Sequence, residues 1–256
     1  MLQLKHIFKS YKVGDNVTHA LDDVTISFRD QEFVAILGPS GSGKTTMLNL
    51  ICGSIPLDKG TILINNQKIN TLREFERYKT IGRVYQDPSK GTCPTMTILE
   101  NMSLADNKNR SFNLSWGTNK KRIDYYKELL SQLNLGLEDK LGVKVGLLSG
   151  GQRQAMALLM TTMSPIEILI LDEHTAALDP KTAEIIMELT NNIVKKKKIT
   201  TLMVTHNLMH ALHYGNRLIM MHEGNAIMDL NEQDKKSTSV DNILNVFNKI
   251  SLERGN

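Results

Sequence analysis

The segment Gly38-Pro39-Ser40-Gly41-Ser42-Gly43-Lys44-Thr45 has the residue types and the spacing to hold a triphosphate. Its glycines let the backbone wrap tightly and turn N–H groups toward phosphate oxygens. Lys44 can reach the β- and γ-phosphates, and the Thr45 hydroxyl, followed by Thr46, is a hard oxygen ligand for Mg2+. A second segment, Leu148-Ser149-Gly150-Gly151-Gln152, opens a helix, and a helix start offers backbone N–H groups to an anion. One nucleotide needs only one such start from one subunit. Two of them in one chain point to a nucleotide gripped between two copies. In a third segment, the apolar run 168–171 ends in Asp172-Glu173. There Asp172 can approach Mg2+ through water, and Glu173 can act as general base on an attacking water. The chemistry of this set is hydrolysis of a nucleoside triphosphate.

These residues need a scaffold of strands and helices. Residues 2–11 and 24–28 alternate and are β-rich, with a turn near Val13-Gly14-Asp15-Asn16. Residues 33–37 are continuously apolar, as in a buried parallel strand, and lead into the glycine loop and a helix over 45–52. Strands 61–64 and 67–69 flank Asn65-Asn66, good turn chemistry. Helical spacing marks 98–104 and 123–133, separated by a polar stretch over 106–121. A helix from 151 to 163 is expected next, followed by a strand at 166–171 and a helix at 181–194. Strand 200–204, helix 207–213, strands 217–222 and 225–229 and a last helix over 240–252 complete the chain. Alternating strands and helices argue for a parallel sheet in an α/β fold. The expected organisation is one domain over 1–256, with a core of 1–90 and 152–256 and a helical subdomain of roughly 91–151.

The chain has 256 residues, 41% hydrophobic and 23% charged, with a formal charge of +4, an ordinary globular composition. No apolar run approaches the roughly 20 residues that span a bilayer. The N-terminus carries no signal-peptide pattern, and Cys52 and Cys93 make neither a CxxC pair nor a disulfide framework. The expectation is a cytoplasmic protein that serves a membrane, if at all, as a peripheral subunit. The basic run Lys195 to Lys198 closes a helix, where cations favour the dipole. Lys108, Arg110, Lys120, Lys121 and Arg122 surround Trp116 and read as a solvated loop or as a face for anionic lipid or a partner. His206, His210 and His213 share a helix face, but no carboxylate or cysteine cluster accompanies them to make a metal site.

Taken in order, these motifs resemble the ATP-binding subunits of ABC transporters, over essentially the whole chain. The resemblance implies a P-loop NTPase of the ABC ATPase type: a RecA-like core, an N-terminal antiparallel β subdomain and an inserted α-helical subdomain. Tyr11 stands where the family stacks an aromatic ring on adenine. Gln86, within Val84-Tyr85-Gln86-Asp87-Pro88, stands at the loop that touches Mg2+ and senses the membrane subunit. Ser149, Gly150, Gly151 and Gln152 match the signature loop, and Ala177, Leu178 and Asp179 match the loop that crosses the dimer interface. His206, at the end of an apolar strand, matches the histidine that contacts the γ-phosphate. The implied cofactors are ATP and Mg2+, with Thr45, Gln86 and Asp172 at the metal.

Departures from the common pattern narrow the resemblance. His174-Thr175-Ala176 replaces the usual Pro-Thr-Ser, and Gln154 to Met160 lacks the usual arginines. With Leu147 to Gln154 and Leu218 to Gly224, these resemble the ATPases of bacterial importers that have a branched-chain-type permease and a solute-binding lipoprotein, some assigned to aromatic amino acids. His174 either tunes Glu173 or packs. The implied partners are a second copy, membrane permease subunits that insert a coupling helix near Gln86 to Asn101, and an extracytoplasmic solute-binding protein; nucleic acid is not expected. Two rival readings are an exporter or lipoprotein-release ATPase, and a soluble ATPase acting on ribosomes or nucleic acid. The second usually carries tandem ATPase halves, a zinc insertion or a coiled coil, none of which is visible here. A non-catalytic regulatory module would need a broken site, and no catalytic position is broken.

Overall fold

The computed structural model describes residues 1–109 and 117–253. Arg110 and Trp116 of the basic segment lie outside the described residues. In chain order the first elements are β1 (Leu2–Val13), β2 (Asn16–Phe28), β3 (Phe33–Leu37), α1 (Lys44–Cys52), β4 (Lys59–Ile64), β5 (Gln67–Lys68) and α2 (Glu74–Arg77). Then come β6 (Ile81–Val84), α3 (Ile98–Asp106), α4 (Ile123–Ser131), α5 (Gly150–Met163), β7 (Ile168–Asp172) and α6 (Pro180–Lys197). The last are β8 (Thr200–Val204), α7 (Leu208–His213), β9 (Arg217–His222), β10 (Asn225–Leu230), α8 (Glu232–Ser237) and α9 (Val240–Glu253). They fall into two compact units, one of residues 1–78 with 197–256 and one of residues 79–196.

The first unit holds an antiparallel sheet in the order β2-β1-β4-β5. The β1–β2 hairpin closes on the Val13–Asn16 pair, so β2 starts eight residues before the strand expected at Val24. Its exposed first half shows no alternation of apolar and polar residues, which is why the sequence hid it. The β4–β5 turn places Asn65 and Asn66 at φ of 49° and 64°, the two left-handed positions a two-residue hairpin requires. The same unit holds β3 between β8 and β9, parallel to both, with β10 antiparallel on β9. Every residue of β3 and β8 is buried, which explains their unbroken apolar sequences.

In the second unit β6 pairs parallel with β7. A helical core surrounds Tyr126, with Ile98, Met102, Leu130, Met156 and Leu159 buried about it. The Tyr126 hydroxyl donates to Asp106 at 3.0 Å, so the ring is buried without an orphaned polar atom. α3 begins with a reciprocal cap: Thr97 Oγ1 accepts from the Glu100 amide at 3.2 Å, and Glu100 accepts from the Thr97 amide at 2.7 Å. No helix among the described residues is long and apolar enough to cross a membrane.

Candidate functional site

In the first unit, the phosphate loop leaves the carboxyl end of β3. Gly43 has φ +98°, and a Cβ there would stand 2.3 Å from the Ala20 carbonyl oxygen of β2, so only glycine fits. α1 then starts at Lys44. The Lys44 ammonium folds back over the loop and donates to the carbonyls of Gly38 and Pro39 at 2.8 Å each and to Ser42 Oγ at 3.2 Å. A phosphate oxygen is a charged and stronger acceptor than these carbonyls, so the lysine is already at the place where an anion would take it over. Thr45 is exposed, with Thr46 beside it half-buried. The neighbouring strand brings His206 to the same edge. Ile36 pairs with Val204, so Gly38 and His206 each lie two residues beyond one register point. Tyr11 is 41% exposed on β1, with the Lys9 ammonium 5.6 Å from its ring centre. An exposed aromatic face of this kind can stack on a base.

The second unit repeats this device. Val84 of β6 pairs with Leu171 of β7, which delivers Gln86 and Glu173 from equivalent strand ends. Gln86 is exposed, and Tyr85 before it is tied through its carbonyl to Gln154 Nε2 of α5 at 3.0 Å. Asp172 accepts from Arg83 at 2.6 Å. Glu173 sits at φ +51°, a sparsely populated conformation for a side chain with a Cβ, and such residues cluster at functional sites. His174 turns inward, 2% exposed, and its Nε2 lies 3.2 Å from Thr190 Oγ1 of α6. The Thr190 hydroxyl donates its proton to the Ile186 carbonyl at 2.6 Å, so His174 must donate from Nε2. His174 therefore anchors the turn behind Glu173 to α6.

The signature loop is the start of α5. Ser149 Oγ accepts from the Gln152 amide and Gln152 Oε1 accepts from the Ser149 amide, both at 3.2 Å. This reciprocal cap occupies the two polar side chains at the start of α5, where Gly150 is exposed and Gly151 is buried. A Cβ on Gly151 would stand 2.2 Å from Thr182 Cγ2, and one on Gly150 would touch Leu178 at 3.4 Å. Leu178 thus covers the signature loop, with Ala177 exposed beside it. Asp179 caps α6 by accepting from the Thr182 amide at 3.1 Å; the hydrogen bonds from the hydroxyl and amide of Thr182 lower its pKa.

Taken unit by unit, the first carries the Thr45 hydroxyl and the second carries the Gln86 amide oxygen and the Asp172 carboxylate, all hard oxygens of the kind Mg2+ prefers. Arg83 and Gln154 escaped sequence reasoning, and for His174 the sequence left tuning of Glu173 and packing open without naming Thr190 as its partner. Their partners lie 89, 69 and 16 residues away, and no local pattern announces such pairs.

A family model described as ABC transporter matches residues 21–176. The chain is 46% identical to the tyrosine transport ATP-binding protein of Clostridioides difficile over 96% of its own length and 98% of that protein. It is 30% identical to the xylose/arabinose import ATP-binding protein XylG of Sulfolobus acidocaldarius, over 100% of this chain and 97% of that one. Among solved structures it is similar to the dimeric, post-hydrolysis ATP-binding cassette MJ0796 bound to ADP and Pi. That likeness has 34% identity and a TM-score of 0.77, covering 91% of this chain and 99% of the other. MJ0796 comes from Methanocaldococcus jannaschii.

Proposed function

The chain belongs to the ABC transporter family and is an ATPase subunit of that kind, using ATP with Mg2+; on that premise we propose that it is the motor of an importer for a small solute, an amino acid such as tyrosine. Two copies close head-to-tail on two Mg-ATP molecules. Lys44 and the Gly38–Thr46 loop hold the phosphates of one ATP, and Tyr11 stacks on its adenine. Ser149, Gly150, Gly151 and Gln152 of the other copy complete the cage around the γ-phosphate, with Ala177, Leu178 and Asp179 at the crossing. Thr45, Gln86 and Asp172 would hold Mg2+, whose charge would offset that of the phosphates. Glu173 takes a proton from the attacking water, and His206 steadies the γ-phosphate. Hydrolysis lets the pair reopen. A permease helix seated between Gln86 and Asn101 turns that cycle into solute passage at the cytoplasmic face of the membrane, fed by an extracytoplasmic solute-binding protein.

The observation that carries this reading is the doubled strand-end device. The Ile36–Val204 pair serves Gly38 and His206, and the Val84–Leu171 pair serves Gln86 and Glu173. The names of the relatives support import and an amino-acid substrate. To test it, the chain would be purified with the membrane subunits encoded beside it and reconstituted in vesicles. ATPase activity should rise when the solute-binding protein is added with tyrosine. No response to any amino acid-loaded binding protein, or efflux instead of uptake, would contradict the import reading.

A further inference from the structure

Arg83 is a buried cation beside the carboxylate assigned to the metal. Its side chain is 5% exposed, and that of Asp172 is 15% exposed. The guanidinium holds Asp172 Oδ2 at 2.6 Å and lies 4.7 Å over the Tyr85 ring. Replacing a buried ion pair by apolar side chains of similar size is often neutral or stabilising, so stability alone gives little reason for an arginine at this point of β6. The pair has two consequences for a divalent cation. One carboxylate oxygen is committed to a hydrogen bond, and a fixed positive charge stands close to wherever the metal binds.

We propose that Arg83 is a positioning residue for the Mg2+ site: it holds Asp172 by Oδ2 and, by its charge, weakens the site for bare divalent cation. This inference rests on the reading of Asp172 as a metal ligand. In the absence of nucleotide Arg83 neutralises Asp172 and keeps it ordered. A lone cation meets a carboxylate already matched by a guanidinium. A cation carried on ATP brings phosphate charge that offsets the guanidinium, so metal and nucleotide enter together.

The test is a Mn2+ titration followed by electron paramagnetic resonance on the full-length protein, with and without adenylyl imidodiphosphate, so no turnover is read. Arg83→Met should bind Mn2+ about tenfold more tightly than the parent without the analogue, as removal of a nearby unit charge in a partly screened site implies, and with a smaller gain in its presence. Arg83→Lys, which keeps the charge, should stay within about twofold of the parent. Where Arg83→Met gives no cooperative melt, Arg83→Gln carries the same expectation. Equal or weaker Mn2+ binding in a folded uncharged variant would overturn the proposal, as would an Arg83→Lys protein that binds as tightly as Arg83→Met. Asp172→Asn separates the premise: if it leaves Mn2+ binding with the analogue unchanged, the metal-ligand reading fails. If it weakens binding while the Arg83 variants behave like the parent, only the Arg83 proposal fails.

Discussion

Two residues concentrate the constraints of the proposed catalytic region. Glu173 stands at a left-handed φ of 51° directly after a buried strand. General-base catalysis is typically worth roughly a hundredfold to ten-thousandfold, so Glu173→Gln should lose that much ATP turnover while ATP binding persists. Release of phosphate and equilibrium binding of a fluorescent ATP analogue would be measured side by side; turnover within a few-fold of the parent would remove Glu173 from the role. Gly151 is fixed by packing, because Thr182 Cγ2 occupies the place of a Cβ at 2.2 Å. Gly151→Ala should lower stability by about 1–3 kcal/mol through overpacking, and adding Thr182→Ser, which deletes that methyl, should restore most of it. If helix propensity ruled instead, the alanine would stabilise by up to about 1 kcal/mol. Chemical denaturation of the single and double variants decides between the two signs.

At the scale of elements, parallel strands are aligned so that their ends share an edge, and helices brace the turns that follow. The brace behind Glu173 is the His174–Thr190 contact between the end of β7 and α6. Thr190→Val keeps the shape and leaves the buried imidazole N–H without that acceptor, a cost of about 1–3 kcal/mol. Turnover should fall with it while the KM for ATP stays near the parent's; an unchanged melting temperature and turnover would show the contact to be idle. A second brace gives a pH signature. Lys235 of α8 donates to the carbonyls of Tyr214 and Gly215 and, through burial, has its pKa pushed down to about 8 from 10.5. Between those values the unfolded chain binds the proton and the folded chain does not, so stability gained from this group rises with pH across that window and is flat below it. Urea midpoints of the parent minus Lys235→Met, taken from pH 7 to 10.5, should show that rise; a constant difference would contradict it.

Much of this scaffold was readable in the chain itself. The unbroken apolar runs of β3, β7 and β8, the Asn65-Asn66 turn and the loop around Lys44 each carry a local signal. Four-residue elements such as α2 and β6 do not, since Ile81–Val84 is too short to show a period, and β6 is what places both Gln86 and Arg83. The contacts of Arg83, Gln154 and His174 depend on which strands and helices become neighbours, and that is decided by the whole core rather than by any window of sequence.

For the whole molecule, the central claim is that each ATP is held by two copies, with Lys44 from one and Ser149 from the other. Such sites make inactive subunits complement one another. The decisive measurement is the ATPase activity of an equimolar mixture of Lys44→Ala and Ser149→Arg subunits, each inert by itself. In a mixed pair, one site joins an intact phosphate loop to an intact signature loop. Random pairing in a symmetric dimer then predicts recovery of about one quarter of the parent's activity. A mixture as inactive as its components, or a Ser149→Arg protein that hydrolyses ATP unaided, would contradict a site shared between copies.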